Sequence, residues 1–206
     1  MNLGRPHAAL LSETMGSLLT VLAKITQPVS GRELERLSGV KHASAQRALR
    51  RLDEHGLVTV DEAGAGAALL YSLNREHISS DAVLILTTLR RRLVERLTSE
   101  LSAWPVPPKH ASMFGSAARG DGGTSSDIDL FIVRSPGVDE EAEEWREQLA
   151  LLGRQVLTWT GNHAGIVEVS AEELKQLGVQ RQEVVQNLER DGINLYGPLF
   201  RELLKS

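Results

Sequence analysis

Two aspartates, Asp127 and Asp129, stand one residue apart within an apolar run that continues Leu130-Phe131-Ile132-Val133. Along a strand alternate side chains share a face, so the two carboxylates fall together while Ile128, Leu130 and Ile132 take the other side. Carboxylates held side by side resist joint ionisation, and a divalent cation relieves that repulsion. Magnesium suits the arrangement, because it takes one or two carboxylates and completes its shell with substrate phosphates and water. Upstream, after ten intervening residues, lies Gly115-Ser116 at the end of an apolar stretch. Glycine lets the backbone approach a ligand closely, and a helix starting there would aim free N–H groups at an anion such as a triphosphate.

The elements that must position these groups follow from local pattern. Strands are expected over 111–114, 128–133, 155–160 and 166–169, with a turn and short helix over 115–120. Helices are expected over 139–152, 171–177 and 182–191. This mixture makes the second half an α+β domain with a small mixed sheet flanked by helices.

Within that frame the stretch MFGSAARGDGGTSSDIDLFIV becomes specific. Gly-Ser, a spacer and Asp-x-Asp between apolar residues resemble the signature of the DNA polymerase beta nucleotidyltransferase superfamily. Ala118-Arg119-Gly120 and Ser126 before Asp127 resemble its minimal nucleotidyltransferase branch. The resemblance implies transfer of a nucleoside monophosphate from a nucleotide triphosphate such as ATP to an acceptor, with release of pyrophosphate. Gly115 and Ser116 would hold the triphosphate, joined by Arg119 and Ser126, and Asp127 and Asp129 would bind Mg2+. The family usually adds a third carboxylate on a neighbouring strand to help deprotonate the acceptor. The candidate is Glu168 in Ile166-Val167-Glu168-Val169, although the family more often carries Asp there.

The first half reads differently. Helices are expected over 7–25, 32–37 and 42–55, followed by strands 57–60 and 68–73 around a glycine-bearing tip at 61–67. SGVKHASAQRALRRLDEHGLV resembles the turn, recognition helix and first wing strand of bacterial winged helix-turn-helix regulators. On the presumed recognition helix His42, Ser44, Gln46, Arg47, Arg50 and Arg51 lie off the apolar stripe formed by Ala45, Ala48, Leu49 and Leu52. No acid occurs between Val40 and Leu52, so that face suits phosphates and base edges of double-stranded DNA. A single long helix should then begin near Ser79 and carry Leu86, Leu89, Leu93, Leu97 and Leu101 to the Pro-rich stop at 104–108. The expected organisation is a DNA-binding domain over 1–78, a linker helix over 79–108 and a nucleotidyltransferase domain over 109–206.

Charge supports two partners. Residues 1–110 hold 14 Lys and Arg against 11 Asp and Glu, whereas residues 111–206 hold 9 against 16. The chain has no cysteine, which excludes disulfides and thiolate zinc sites and fits a reducing cytoplasm. Its six histidines show no metal-ligand spacing. No apolar run reaches the roughly 18 residues a membrane helix needs, and the start lacks a signal-peptide pattern, so no membrane partner is expected. The leading expectation is a cytoplasmic, Mg2+-dependent nucleotidyltransferase that binds operator DNA as a homodimer and controls transcription. Two alternatives stand beside it. One is a regulator whose nucleotidyltransferase-like domain only senses nucleotide, which would hold Glu168 away from the aspartates. The other is an antitoxin-like protein whose acceptor or partner is another protein.

Overall fold

The computed structural model describes residues 1–62, 68–180 and 183–204, and the chain divides into two units. One is Arg5–Leu89; the other joins Met1–Gly4 to Arg90–Ser206.

The Arg5–Leu89 unit opens with a 3-10 turn at Pro6–Ala9 and continues α1 (Glu13–Lys24), β1 (Val29–Ser30), α2 (Gly31–Ser38), α3 (His42–Glu54), β2 (Val58–Glu62), β3 (Leu69–Leu73) and α4 (Ser80–Thr87). Local chemistry starts the helices where they start. Ser12 Oγ accepts from Met15 N ahead of α1, and Ser30 Oγ accepts from Glu33 N ahead of α2. Leu18, Leu22, Leu34, Leu49 and Leu52 are buried in one core, with Val58, Tyr71 and Leu73 from the strands. β3 pairs antiparallel with both β1 and β2. The expected hairpin is thus present in its strands, while residues 63–67 of its expected tip lie outside the described residues.

The expected continuous helix beyond Ser79 is two helices: α4 ends at Thr87 and α5 (Leu89–Ser102) begins after Thr88. Thr87 and Thr88 donate their hydroxyls to the carbonyls of Leu84 and Ile85, a competition with the helix ladder that the leucine spacing does not reveal. The division between the two units falls here rather than at the prolines. Leu93, Leu97 and Leu101 of α5 are buried in the second unit's core. Trp104 packs edge-on to Trp145 at 5.6 Å, and Gln148 bonds both the N–H and the carbonyl of Val106 at 3.0 Å, so the proline segment is an integral part of that unit.

The second unit continues β4 (His110–Phe114), α6 (Gly115–Arg119), β5 (Ile128–Val133), α7 (Glu143–Thr160), β6 (Ala164–Val169), α8 (Ala171–Gln180), α9 (Glu183–Asp191), β7 (Ile193–Tyr196) and α10 (Phe200–Leu203). Its sheet has the order β6-β5-β4-β7, with β5 and β6 parallel and the other pairs antiparallel. The strand expected over 155–160 is instead the end of α7. Trp145, Gln148, Leu152, Val156 and Thr160 are all buried at helical spacing, and that stripe outweighs the strand-like composition of 156–160.

Each sheet face has its own core. Ile128, Leu130, Ile132 and Met113 pack with Trp145, Leu152 and Val156 on one side. Phe114, Phe131, Val133 and Val169 pack with Leu174, Leu188 and Phe200 on the other. Sliding β5 by one residue would exchange those two sets, each of whose buried side chains is worth about 1.5–3 kcal/mol. Burial on both sides therefore fixes which way Asp127 and Asp129 face.

Candidate functional site

The aspartates sit where β5 begins, on the face shared with Phe131. Asp129 is paired in register with Phe114 on β4 and with Gly165 on β6. Asp127 is exposed and Asp129 half-buried. Two glycines make room for the Asp129 carboxylate. A Cβ on Gly115, whose φ is 67°, would lie 2.2 Å from Asp129 Oδ2, and a Cβ on Gly165 would lie 3.0 Å from Asp129 Oδ1 and 3.8 Å from the Asp127 Cβ. Gly165 carried no signal in the sequence beyond being a glycine at the start of a strand.

Electrostatically the pair is uncompensated. Burial, and then the negative charge of Asp127, push the Asp129 carboxyl above the ordinary carboxylate range, with Arg119 pulling weakly the other way. Among the described residues no hydrogen-bond donor reaches either carboxylate, and no third acid or imidazole completes a metal-binding group. An exposed and a half-buried carboxylate on one face fit a magnesium ion whose remaining ligands come from phosphate and water.

The predicted neighbours fall into place unevenly. Ser116, in the first turn of α6, has its carbonyl accepting from Gly120 N, Asp121 N and Gly122 N at 2.9, 3.1 and 3.3 Å, which folds the following loop back over the helix. Arg119 bonds Asp121 at 3.1 Å and lies 3.5 Å from Asp191, so its guanidinium is held at the edge of the site. Ser126 Oγ accepts from Gly123 N at 2.9 Å, a bond inside the loop. Asn162, which the sequence does not single out, is buried and donates to the carbonyls of Gly123, Thr124 and Ser126.

Glu168 is the correction. Its register partner is Ile132, so it occupies the α7 face of the sheet, opposite Asp127 and Asp129. There its Oε1 accepts from Arg134 Nη1 at 2.7 Å. Period-two alternation explains the miss: Gly165, Val167 and Val169 share the aspartates' face, and Glu168 falls between them. Val167, paired with Phe131 and 39% exposed, stands on the strand next to the carboxylates with no group to offer a metal or a proton.

On α3 the six expected DNA-reading residues also divide. Arg47, Arg50 and Arg51 are exposed. His42 Nδ1 is bonded to Glu35 Oε1 at 2.5 Å, Ser44 is half-buried, and Gln46 is half-buried beside Tyr71. Beside it Ser30, Arg32, His42, Gln46, Leu69 and Tyr71 line an open groove of about 500 Å³.

Residues 91–188 match the family described as nucleotidyltransferase domain. The matched span includes most of α5, all of β4, β5 and β6, and both aspartates. No curated protein matches the chain. Among solved structures, a toxin-antitoxin crystallised with AMP-PNP aligns at 15% identity and a TM-score of 0.36. A mutant of the toxin-antitoxin MntA-HpeT aligns at 12% and 0.38; each alignment covers 54% of this chain and 81% of the other. No helix among the described residues is long and apolar enough to cross a membrane.

Proposed function

We propose that this chain is a DNA-binding regulator that reads a nucleoside triphosphate through a nucleotidyltransferase-type site. The nucleotide is held as its magnesium complex, with Asp127 and Asp129 as the protein's metal ligands and the Gly115-Ser116 bend beside the phosphates. The Arg5–Leu89 unit acts as a winged helix-turn-helix that places α3 in the major groove of double-stranded DNA, binding paired half-sites as a homodimer. The observation that carries the choice of sensing over transfer is the side of the sheet that Glu168 occupies. The face bearing Asp127 and Asp129 holds Val167 on the adjacent strand where an acceptor-activating carboxylate would stand. When bound, the metal neutralises the triphosphate and the two acids together; Asp127 and Asp129 orient it, and Gly115 leaves the space in which the carboxylate sits.

Nucleotidyl transfer to an acceptor is the second reading, favoured by the family match over residues 91–188. An acceptor on that reading loses its proton without a third acid grouped with the aspartates among the described residues, and a protein acceptor would make the chain antitoxin-like. Incubation with each labelled nucleotide triphosphate and Mg2+ separates the two readings. Saturable nucleotide binding with no pyrophosphate release supports sensing. Pyrophosphate or labelled product that disappears in Asp127→Ala/Asp129→Ala would overturn it in favour of transfer.

A further inference from the structure

The loop that brings the chain from α6 to Asp127 has little structure of its own. Residues 120–126 include three glycines and two serines, and no helix or strand covers them. The Asp127 backbone is nonetheless gripped on both sides. The carbonyl of Ser126, just before it, accepts from Asn162 Nδ2 at 2.8 Å, and the N–H of Ile128, just after it, donates to the His163 carbonyl at 2.8 Å. The same amide of Asn162 also reaches the carbonyls of Gly123 and Thr124, at 3.3 and 3.4 Å. Asn162 is itself seated: it is 3% exposed, its N–H donates to Thr160 Oγ1 at 3.0 Å, and its Oδ1 accepts from the Met1 nitrogen. An amide whose NH2 faces three carbonyls has an unambiguous orientation, and no acid or hydrocarbon could replace it there.

We propose that Asn162 is a positioning residue for the metal platform, setting Asp127 beside Asp129 through the loop it holds. Asp129 needs no such help, because it lies within β5 between two paired strands. Asp127 precedes the strand, and its place depends on the grip of residues 162 and 163. Outer groups that orient a metal ligand commonly govern affinity by about 10–100-fold when removed. The inference rests on the proposed nucleotide–metal reading.

The test uses Mn2+ in place of Mg2+ with ATP, following the bound ion by electron paramagnetic resonance on the full chain. Asn162→Ala and Asn162→Asp should raise the Mn2+ midpoint by about 10–100-fold at an unchanged number of sites, measured below the thermal midpoint of each variant, which falls because buried carbonyls lose their donor. Thr160→Val, which loosens the seat of Asn162 but keeps its amide, should shift the Mn2+ midpoint less and in the same direction; it decides the matter if the Asn162 variants do not fold. A folded variant of this set with the wild-type Mn2+ midpoint would overturn the positioning role alone. A wild-type chain whose Mn2+ signal equals that of Asp127→Ala/Asp129→Ala would overturn the underlying site reading, and this inference with it.

Discussion

Gly115 and Asp129 touch in a manner open only to a residue without a side chain: a methyl group on Gly115 would lie 2.2 Å from Asp129 Oδ2. The backbone there is left-handed, with φ at 67°, so alanine adds local strain to the collision. Gly115→Ala is expected to displace the Asp129 carboxylate, to lower stability by about 1–3 kcal/mol and to remove metal-dependent nucleotide binding. Thermal melts and calorimetric titration of the same preparation check both effects. A variant that still binds the Mg2+–nucleotide complex like wild type would dissociate the bend from the platform.

Asp129 gives a pH signature. Its folded-state pKa lies above that of the unfolded chain, chiefly through burial and then through Asp127. The folded state therefore holds its proton longer, and ionisation of Asp129 weakens the fold as pH rises through the raised value. Asp129→Asn removes that penalty. The metal-free variant should melt higher than wild type at neutral pH, and the two should converge as pH falls below the ordinary carboxylate range. Equal melting temperatures across the whole range would contradict the repulsive pair.

How far the site could be read from sequence depended on which constraint acted. The Asp127-x-Asp129 pattern within apolar residues carried its own geometry, because alternation along a strand is local and both faces of β5 are buried. Glu168 had the same local logic available, but its face is set by pairing with β5, and the apolar neighbours on both sides of it gave no phase. Asn162 and Gly165 act through residues far along the chain, at 123–129, and nothing in their surroundings announces that. Helix α7 runs past the expected end at 152 because its buried stripe extends to Thr160, against the strand-like composition of 156–160.

Glu168 and Val167 make opposite predictions across one strand. Glu168→Gln should leave nucleotide and metal affinity unchanged, since the side chain faces away from the aspartates. It should lower stability by about 1–3 kcal/mol, because buried Arg134 loses its nearest charged partner. Val167→Asp places a third carboxylate on the platform face and should tighten Mn2+ binding by roughly tenfold, as added ligand charge does. Titrations showing that Glu168→Gln loses metal while Val167→Asp gains none would reverse the assignment of faces.

On the DNA side the exposed cations of α3 should act as phosphate contacts. Arg47→Ala and Arg50→Ala are each expected to weaken binding to DNA from the chain's own promoter region and to reduce the slope of log affinity against log salt by about 1. His42→Ala should matter less, since the imidazole is already engaged by Glu35. Fluorescence anisotropy at several salt concentrations measures these slopes. Unchanged slopes in both arginine variants would place the DNA elsewhere or remove it from the picture.

Calorimetric titration of a non-hydrolysable nucleotide triphosphate, with and without Mg2+, examines the metal platform most directly. The expected result is Mg2+-dependent binding to the wild-type chain that vanishes in Asp127→Ala/Asp129→Ala while the fold persists. Equal affinity in the double variant, or binding indifferent to Mg2+, would contradict the site.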